Sequence, residues 1–321
     1  MRITNGMMVD KFLVNMQTNM EKMDRYTSQL SSNRKIVRLS DDPVGVYNAL
    51  TARQRLARYE QYQRNLVTAR SWVEQCDTSL QEVSSKLTDV NDQLVYAATN
   101  VKTEGDRKNI AALATELRNT LMDALNASVG GQYIFAGYNT VNPPLTKVDQ
   151  PDGREPLIYY NGVDLTDMTK AATIEAEQKQ KFQIEVGYGL QMEVAITAID
   201  VVGVGDNNLF KTCNTIIELM NSGDETAHVV EQLGAQLDKL STAHENVLSS
   251  LVRAGAMYSQ IEILENRYSG DIINYNDIRS RIEDIDSAEV IMDWKMAEAV
   301  YKQSLSTGAR VIMPTLMDFL K

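Results

Sequence analysis

Reactive side chains are scarce here: the 321 residues include two cysteines, two histidines and two tryptophans. Cys76 and Cys213 are too few for a disulfide framework, and neither lies in a CxxC or metal-like spacing. Both sit among apolar helical positions and read as small buried hydrophobes. With only His228 and His244, a Ser-His or Cys-His catalytic arrangement has few places to be built, and no zinc ligand cluster forms. His244 falls on a heptad seam position and reads as a packed or partly exposed core histidine, and His228, after "NSGDET", reads as surface near a helix start. No P-loop occurs, and "GYGLQM" lacks the third glycine and the context of a dinucleotide loop. The expectation is therefore no catalytic, cofactor-binding or metal-binding residue.

Long apolar runs are missing too. No stretch of 18 apolar residues is present, and Asp10 and Lys11 interrupt the region where a signal peptide needs its apolar core. By those rules the chain is cytoplasmic, unless a dedicated export route without a cleaved signal carries it. The net charge of −11 argues against nucleic acid and anionic membranes as partners. Charge is unevenly placed: residues 1–65 carry eleven Lys/Arg against six Asp/Glu, and residues 262–298 carry ten Asp/Glu against four Lys/Arg. Basic and acidic ends of this kind attract each other, within a subunit or between subunits.

What the chain has is helical periodicity. Val73, Leu80, Leu87, Leu94 and Val101 recur every seven residues, with Cys76, Val83, Val90 and Ala97 three places after the first four. That is the seam of a helix packed along its length. "TEGDRK" breaks it at Gly105, and Ile110, Leu113, Leu117, Leu121 and Leu125 begin a second amphipathic helix. Leu233, Leu240, Val247, Ala254, Ile261 and Tyr268 repeat the period later, with Leu237, His244, Leu251 and Tyr258 alongside. The ends carry narrower stripes: Val9, Met16, Met23 and Leu30 with Phe12 and Tyr26, then Ile278, Ile285, Met292, Ala299, Ser306, Met313 and Leu320. Such stripes on single helices need partners, from each other, from neighbouring subunits, or both.

The middle differs. Nine of seventeen glycines and four of six prolines fall between Gly130 and Gly205. From Phe182 to Ile196 apolar residues occupy every even position, which predicts half-buried strand with a bulge or turn at Gly187 or Gly189. Asn161-Gly162 in "LIYYNGVD" predicts a hairpin turn. The fold class read from these patterns is mainly α, with long antiparallel helical rods and a small inserted β-rich domain.

"LSDDPVGVYNAL" at residues 39–50 poses a choice between an acidic site and a helix start. Ser40, Asp41 or Asp42 suit the cap, Pro43 suits the first helical position, and no further oxygen ligands follow at cation-binding spacing. The next segment, "TARQRLARYEQYQR", interleaves Arg53, Arg55, Arg58 and Arg64 with Tyr59 and Tyr62. That combination suits stacking on single-stranded nucleic acid, but on a long helix in an acidic protein it reads as a solvated or protein-binding face.

Four stretches, "MRITNGMM", "QLSSNRKIVRLSDDPVGVYNAL", "GGQYIFAGYNT" and the final "NYNDIRSRIEDIDSAEVIMDWKMAEAVYKQSLSTGARVIMPTLMDFLK", together resemble the bacterial flagellin superfamily. SDDP at Ser40–Pro43, YIFAG at Tyr133–Gly137 and LMDFL at Leu316–Leu320 resemble its hook-filament junction branch more than flagellin proper. Asn33 stands where the family usually has glycine, and asparagine tolerates positive φ nearly as well.

The resemblance implies five segments: a tube-forming helix over 1–40, a helical rod over 41–130 and 206–275, a β-rich insert over 131–205, and a second tube-forming helix over 276–321. It implies a homo-oligomeric layer in the flagellar lattice, with the first hook-associated junction protein and flagellin as neighbours. An export chaperone on the C-terminal helix and type III flagellar export without a cleaved signal are also implied, which places the chain outside the cell. Val9, Phe12, Met16, Met23, Leu30, Ile278, Ile285, Met292, Met296, Leu316 and Leu320 are the expected assembly interface. The rivals are a minor flagellin, a cytoplasmic coiled-coil binding protein and an enzyme hidden in the β insert.

Overall fold

The computed structural model describes residues 5–100, 104–150, 154–222 and 226–317. Two compact units arise, one of Gln61–Tyr268 and one of Met1–Glu60 with Ser269–Lys321. Helices α2 (Pro43–Asn100) and α7 (Thr226–Glu283), 58 residues each, supply residues to both units.

In the Gln61–Tyr268 unit the sevenfold aliphatic stripes become the core. Val73, Leu80, Leu87 and Leu94 of α2 are buried, as are all six stripe residues of α7 from Leu233 to Tyr268. Val101 and Ala97 of the predicted stripe have no described side chain. Arg70 pairs with Glu265 at 2.6 Å, and Ser84 Oγ lies 3.0 Å from His244 Nε2. As the α2 number rises its α7 partner falls, so the two run antiparallel in this unit. His244 is thus a seam residue satisfied by a hydroxyl. Side-chain placement for His228 lies outside the described residues.

The second amphipathic helix, α3 (Glu104–Leu125), buries Ile110, Leu117, Leu121 and Leu125, while Leu113 stays exposed. It starts at Glu104, so Gly105 lies in its first turn rather than in the break. The acidic residues Glu104 and Asp106 in that turn complement the helix dipole and offset glycine's low propensity.

Short hairpins follow. Strands β1 (Ser128–Val129) and β2 (Gln132–Tyr133) turn through Gly130-Gly131, both at positive φ. Strands β3 (Leu145–Val148), β4 (Leu157–Tyr160) and β5 (Val163–Asp164) form an antiparallel sheet in that order. Asn161 and Gly162, at φ 47° and 81°, make its two-residue turn. The helix α4 (Ala171–Lys179) leads into β6 (Gln183–Gly187) and β7 (Leu190–Glu193). Their register slips between Glu185 and Gly187, which is the predicted irregularity, and Gly189 at φ 67° sits in the turn. The even-numbered residues Ile184, Val186, Met192, Val194 and Ile196 are buried, while Tyr188 and Leu190 at the hairpin tip are exposed. Helices α5 (Ala198–Val202) and α6 (Leu209–Asn221) complete the unit. The insert is therefore mixed. Its α4 helix had no stripe long enough to reveal it.

Both rods hold the β6–β7 hairpin. Asn65 of α2 donates its amide to the Glu185 carbonyl at 2.7 Å, and the Tyr268 hydroxyl of α7 donates to the Val186 carbonyl. Trp72 packs on Phe182 with ring centroids 5.2 Å apart. Behind the hairpin, Lys181 reaches Glu193 at 3.1 Å and Asp200 at 3.6 Å, and Arg253 of α7 reaches Asp200 at 3.2 Å. The "YIFAG" element lies in the core, with Ile134, Phe135 and Ala136 buried. At Gly137 (φ 70°) a Cβ would stand 2.4 Å from the Gln180 carbonyl oxygen, so no side chain fits. Cys76 and Cys213 are free and buried, and burial pushes each thiol up to about 12.

Burial of the Asp200 carboxyl pushes its pKa up, but the Gln178 hydrogen bond and the Lys181 and Arg253 charges outweigh burial and hold it below the usual carboxylate range. A depressed folded pKa contributes stability above the unfolded value, lost as pH falls through the folded one. Replacing it, Asp200→Asn, leaves Lys181 and Arg253 sharing Glu193 alone and should cost about 2 kcal/mol at neutral pH in urea unfolding. The gap from wild type should close on acidification below the folded pKa; a gap independent of pH would remove the charge from the explanation.

Candidate functional site

The unit of Met1–Glu60 with Ser269–Lys321 pairs the two ends of the chain. Helix α1 (Asn5–Ser32) packs along α8 (Ser287–Met317). The Trp294 indole N–H donates to Thr27 Oγ1 at 3.1 Å, while Phe12 lies on Gly308, so the helices are antiparallel. Gly308 is buried, and a Cβ there would come within 2.1 Å of the Phe12 ring. Glycine here is a seat for an aromatic ring.

On α1 the half-buried face is Val9, Phe12, Met16, Met23, Tyr26 and Leu30, the stripe read from sequence. On α8 the half-buried face is Val290, Trp294, Ala297, Tyr301 and Ser304, ending at Gly308. The aliphatic stripe read from sequence does not coincide with it. Ile285 is half-buried, but Ile278, Met292, Ala299 and Ser306 are exposed, and Met292 and Met296 keep 62% and 61% of their surface. The reason is size: two aromatics and three small residues interlock with α1 better than a row of methionines, and an aliphatic count overlooks both types. A spacing of seven with aromatics and Gly/Ala/Ser counted together was the available signal. The Leu316 side chain and all of Leu320 lie outside the described residues.

The outer surface of this pair is rich in apolar groups. Met7, Met8, Leu13, Val14 and Met20 of α1 and Ile291, Met292, Met296, Val300 and Leu305 of α8 are all exposed. A groove of about 390 Å³ opens along it, lined by Phe12, Asn15, Val300 and Thr307 among others. Two helices make one layer, and one layer cannot cover both of its faces.

Between α1 and α2 the chain turns. Asn33 takes φ 54° just after α1, the conformation its type tolerates. Lys35 N–H donates to the Glu283 carbonyl at 2.6 Å, the Gln29 amide donates to the Lys35 carbonyl at 2.7 Å, and Arg53 pairs with the Glu283 carboxylate at 2.6 Å. The basic start and acidic end of the chain therefore meet here within one subunit. Asp42 Oδ1 accepts the Gly45 N–H at 2.9 Å with Pro43 as the first helical residue, and Asp41 Oδ2 accepts the Arg38 N–H at 2.9 Å. A Cβ on Gly45 would come within 2.3 Å of the capping carboxylate. At the start of α8, Asp286 Oδ1 accepts from Ala288 and Glu289 N–H, a cap that sequence reading missed.

In the arginine–tyrosine segment Tyr59 and Tyr62 are half-buried against α7, while Arg55, Arg58 and Arg64 stay exposed. Arg55 donates to the Tyr275 hydroxyl at 2.7 Å, and Tyr59 stacks on Tyr275 with centroids 5.5 Å apart. In the other unit Tyr62 meets Tyr268 at 6.0 Å. These rings face protein. Among the described residues no group of three or more His, Cys, Asp or Glu is placed to hold a metal, and no helix is long and apolar enough to cross a membrane.

Comparison with known proteins matches residues 3–140 to the bacterial flagellin N-terminal helical region. The flagellar hook-associated protein 3 of Salmonella typhimurium is 25% identical over 316 residues, covering 96% of each chain. That of Escherichia coli is 24% identical over 316 residues, covering 95% of each. The solved flagellar hook-associated protein 3 of Legionella pneumophila is 16% identical, with a TM-score of 0.58 over 72% of this chain and 96% of its own.

The Phe12–Gly308 seat predicts a coupled pair of substitutions. Gly308→Ala should displace the ring and destabilise the terminal helix pair by about 1–3 kcal/mol. In a Phe12→Ala background the same change should cost close to nothing, read as resistance of the ends to limited proteolysis. Equal costs in both backgrounds would show that the ring is not what Gly308 accommodates.

Proposed function

We propose that this chain, which belongs to the bacterial flagellin superfamily, is a structural protein of the flagellum that forms the junction between hook and filament. The observation that carries the reading is the terminal helix pair: its two helices satisfy their inner stripes on each other and leave a second apolar face outside. Exposed apolar surface on that scale is covered in an assembly rather than left to water. Similarity along 96% of the chain to a hook-associated protein of the same extent supports the same role.

In this reading subunits form one layer of the flagellar tube, with the first hook-associated junction protein on the hook side and flagellin on the filament side. Exposed Met292, Met296 and Ile278 meet neighbouring subunits. Val9, Phe12, Met16, Met23 and Leu30 act one step earlier, by pairing α1 with α8 so that a continuous outer face exists. Segment boundaries at residues 40, 130, 205 and 275 divide the two tube-forming ends from the rod and its insert. The protein has no enzymatic role. It leaves the cell through the flagellar export apparatus without a cleaved signal, and until then a cytoplasmic chaperone covers the apolar α8 face.

A strain lacking this chain should build complete hooks and lose flagellin to the medium, whereas normal filaments in that strain would overturn the junction role. Purified chain added to filament fragments should add a limited layer and stop; unlimited growth would make it a minor flagellin. Met292→Asp with Met296→Asp should leave thermal melting of the purified chain unchanged, because both side chains are already in water, and should abolish incorporation into flagella. Normal incorporation of that variant would remove the α8 face from the interface.

A further inference from the structure

We propose that a groove between α2 and α7 in the Gln61–Tyr268 unit is the docking site for the segment Arg34–Leu39 of a second copy of this chain. This assignment rests on the layer reading above and names the surfaces that such a layer would join. The groove, of about 310 Å³, is lined by Val73, Thr78, Ala254, Gly255 and Tyr258. It exists because α7 places small residues there: a Cβ built on Gly255 meets nothing within 4 Å. Val252 and Leu248, one and two turns before Gly255 on the same helix face, extend the apolar strip and are 72% and 45% exposed.

The rim carries Glu74 and Asp77. Asp77 accepts an amide from Gln81 at 2.7 Å, and neither carboxylate pairs with a lysine or arginine among the described residues. An apolar slot edged by two uncompensated carboxylates selects a ligand with aliphatic side chains flanked by cations.

In a chain of net charge −11 such a segment is uncommon, and this chain displays one: Arg34, Lys35, Ile36, Val37, Arg38 and Leu39. Leu39 and Val37 are 73% and 43% exposed. The side chains of Arg34 and Lys35 make no ion pair among the described residues, and Arg38 only approaches Asp24, at 4.0 Å, with both side chains in water. Hydrogen bonds from Lys35 N–H to Glu283 and from Gln29 to the Lys35 carbonyl hold the backbone in place, so little ordering remains to be done on docking. Segment and groove are different surfaces. Their contact is therefore heterologous, and it propagates around a layer instead of closing a two-fold dimer.

The test is charge exchange in cells that lack the native chain, reading the ratio of chain retained in isolated flagella to chain lost to the medium. Lys35→Glu with Arg38→Glu, and separately Glu74→Lys with Asp77→Lys, should each lower retention by about tenfold or more. Combining all four should restore it. Gly255→Leu, which fills the slot without changing charge, should lower retention as well. Melting of each purified variant should match wild type, since the altered side chains are at the surface.

Full retention of either charge-reversed variant would overturn the proposal. So would a combined variant that melts normally and stays lost to the medium. Loss confined to the groove variants would give the groove to another flagellar subunit and overturn the second-copy assignment. Absence of the wild-type chain itself from isolated flagella would instead remove the junction role, and this proposal with it.

Discussion

A narrow apolar stripe along a long helix has to be covered along its whole length, and in this chain that requirement organises everything else. In the Gln61–Tyr268 unit it is met by pairing two stripes of equal period, so that Leu80 and Leu87 on one helix and Leu240 and Val247 on the other are all fully or almost fully excluded from water. Burying several aliphatic side chains in register, each contributing roughly 1.5–3 kcal/mol, gives a scaffold against which smaller elements can be fixed. The β hairpin of residues 183–193 is one of them. A two-stranded hairpin is marginal alone in water. This one hangs from Asn65 and Tyr268, one from each helix, and leans on Trp72.

The same requirement has a different outcome at the ends of the chain. There each helix has apolar residues on two faces, and pairing α1 with α8 covers only one of them on each. The contact is specific rather than extensive: an indole N–H on a threonine hydroxyl, and a phenylalanine ring on a glycine. What remains outside is methionine and branched aliphatic surface, adaptable in shape and costly to leave in water. A well-covered rod with an under-covered pair of ends is the feature on which the proposed place in a flagellar lattice rests.

The polar groups described above hold this arrangement together. The paired carboxylates Asp41 and Asp42 order a turn and cap α2, and the Arg–Tyr segment that resembled a nucleic-acid surface closes on Tyr275. The cluster of Lys181, Glu193, Asp200 and Arg253 ties the insert to α7 through charge. Each of these is a satisfied internal contact.

Much of this was legible from the amino-acid order, because the two regular periods are written directly into it. A period of seven in Val73–Leu94 and Leu233–Tyr268 specifies buried helix faces, alternation in Ile184–Ile196 specifies strand, and Asn161-Gly162 and Asn33 mark positive φ by residue type. Those are local properties, set by backbone sterics and by which face a side chain must take. The choice of inner face on α8 was not local: Trp294, Tyr301 and Gly308 won over Met292 and Ala299 because of what α1 presents to them. The partner of Tyr275, the seat for Phe12 and the groove at Gly255 are likewise relations between residues far apart in the chain. Sequence determined which segments are helices and strands and which stripes need cover. Only the tertiary structure decided which stripes cover each other, since complementarity of shape and charge exists between surfaces and is not a property of either one.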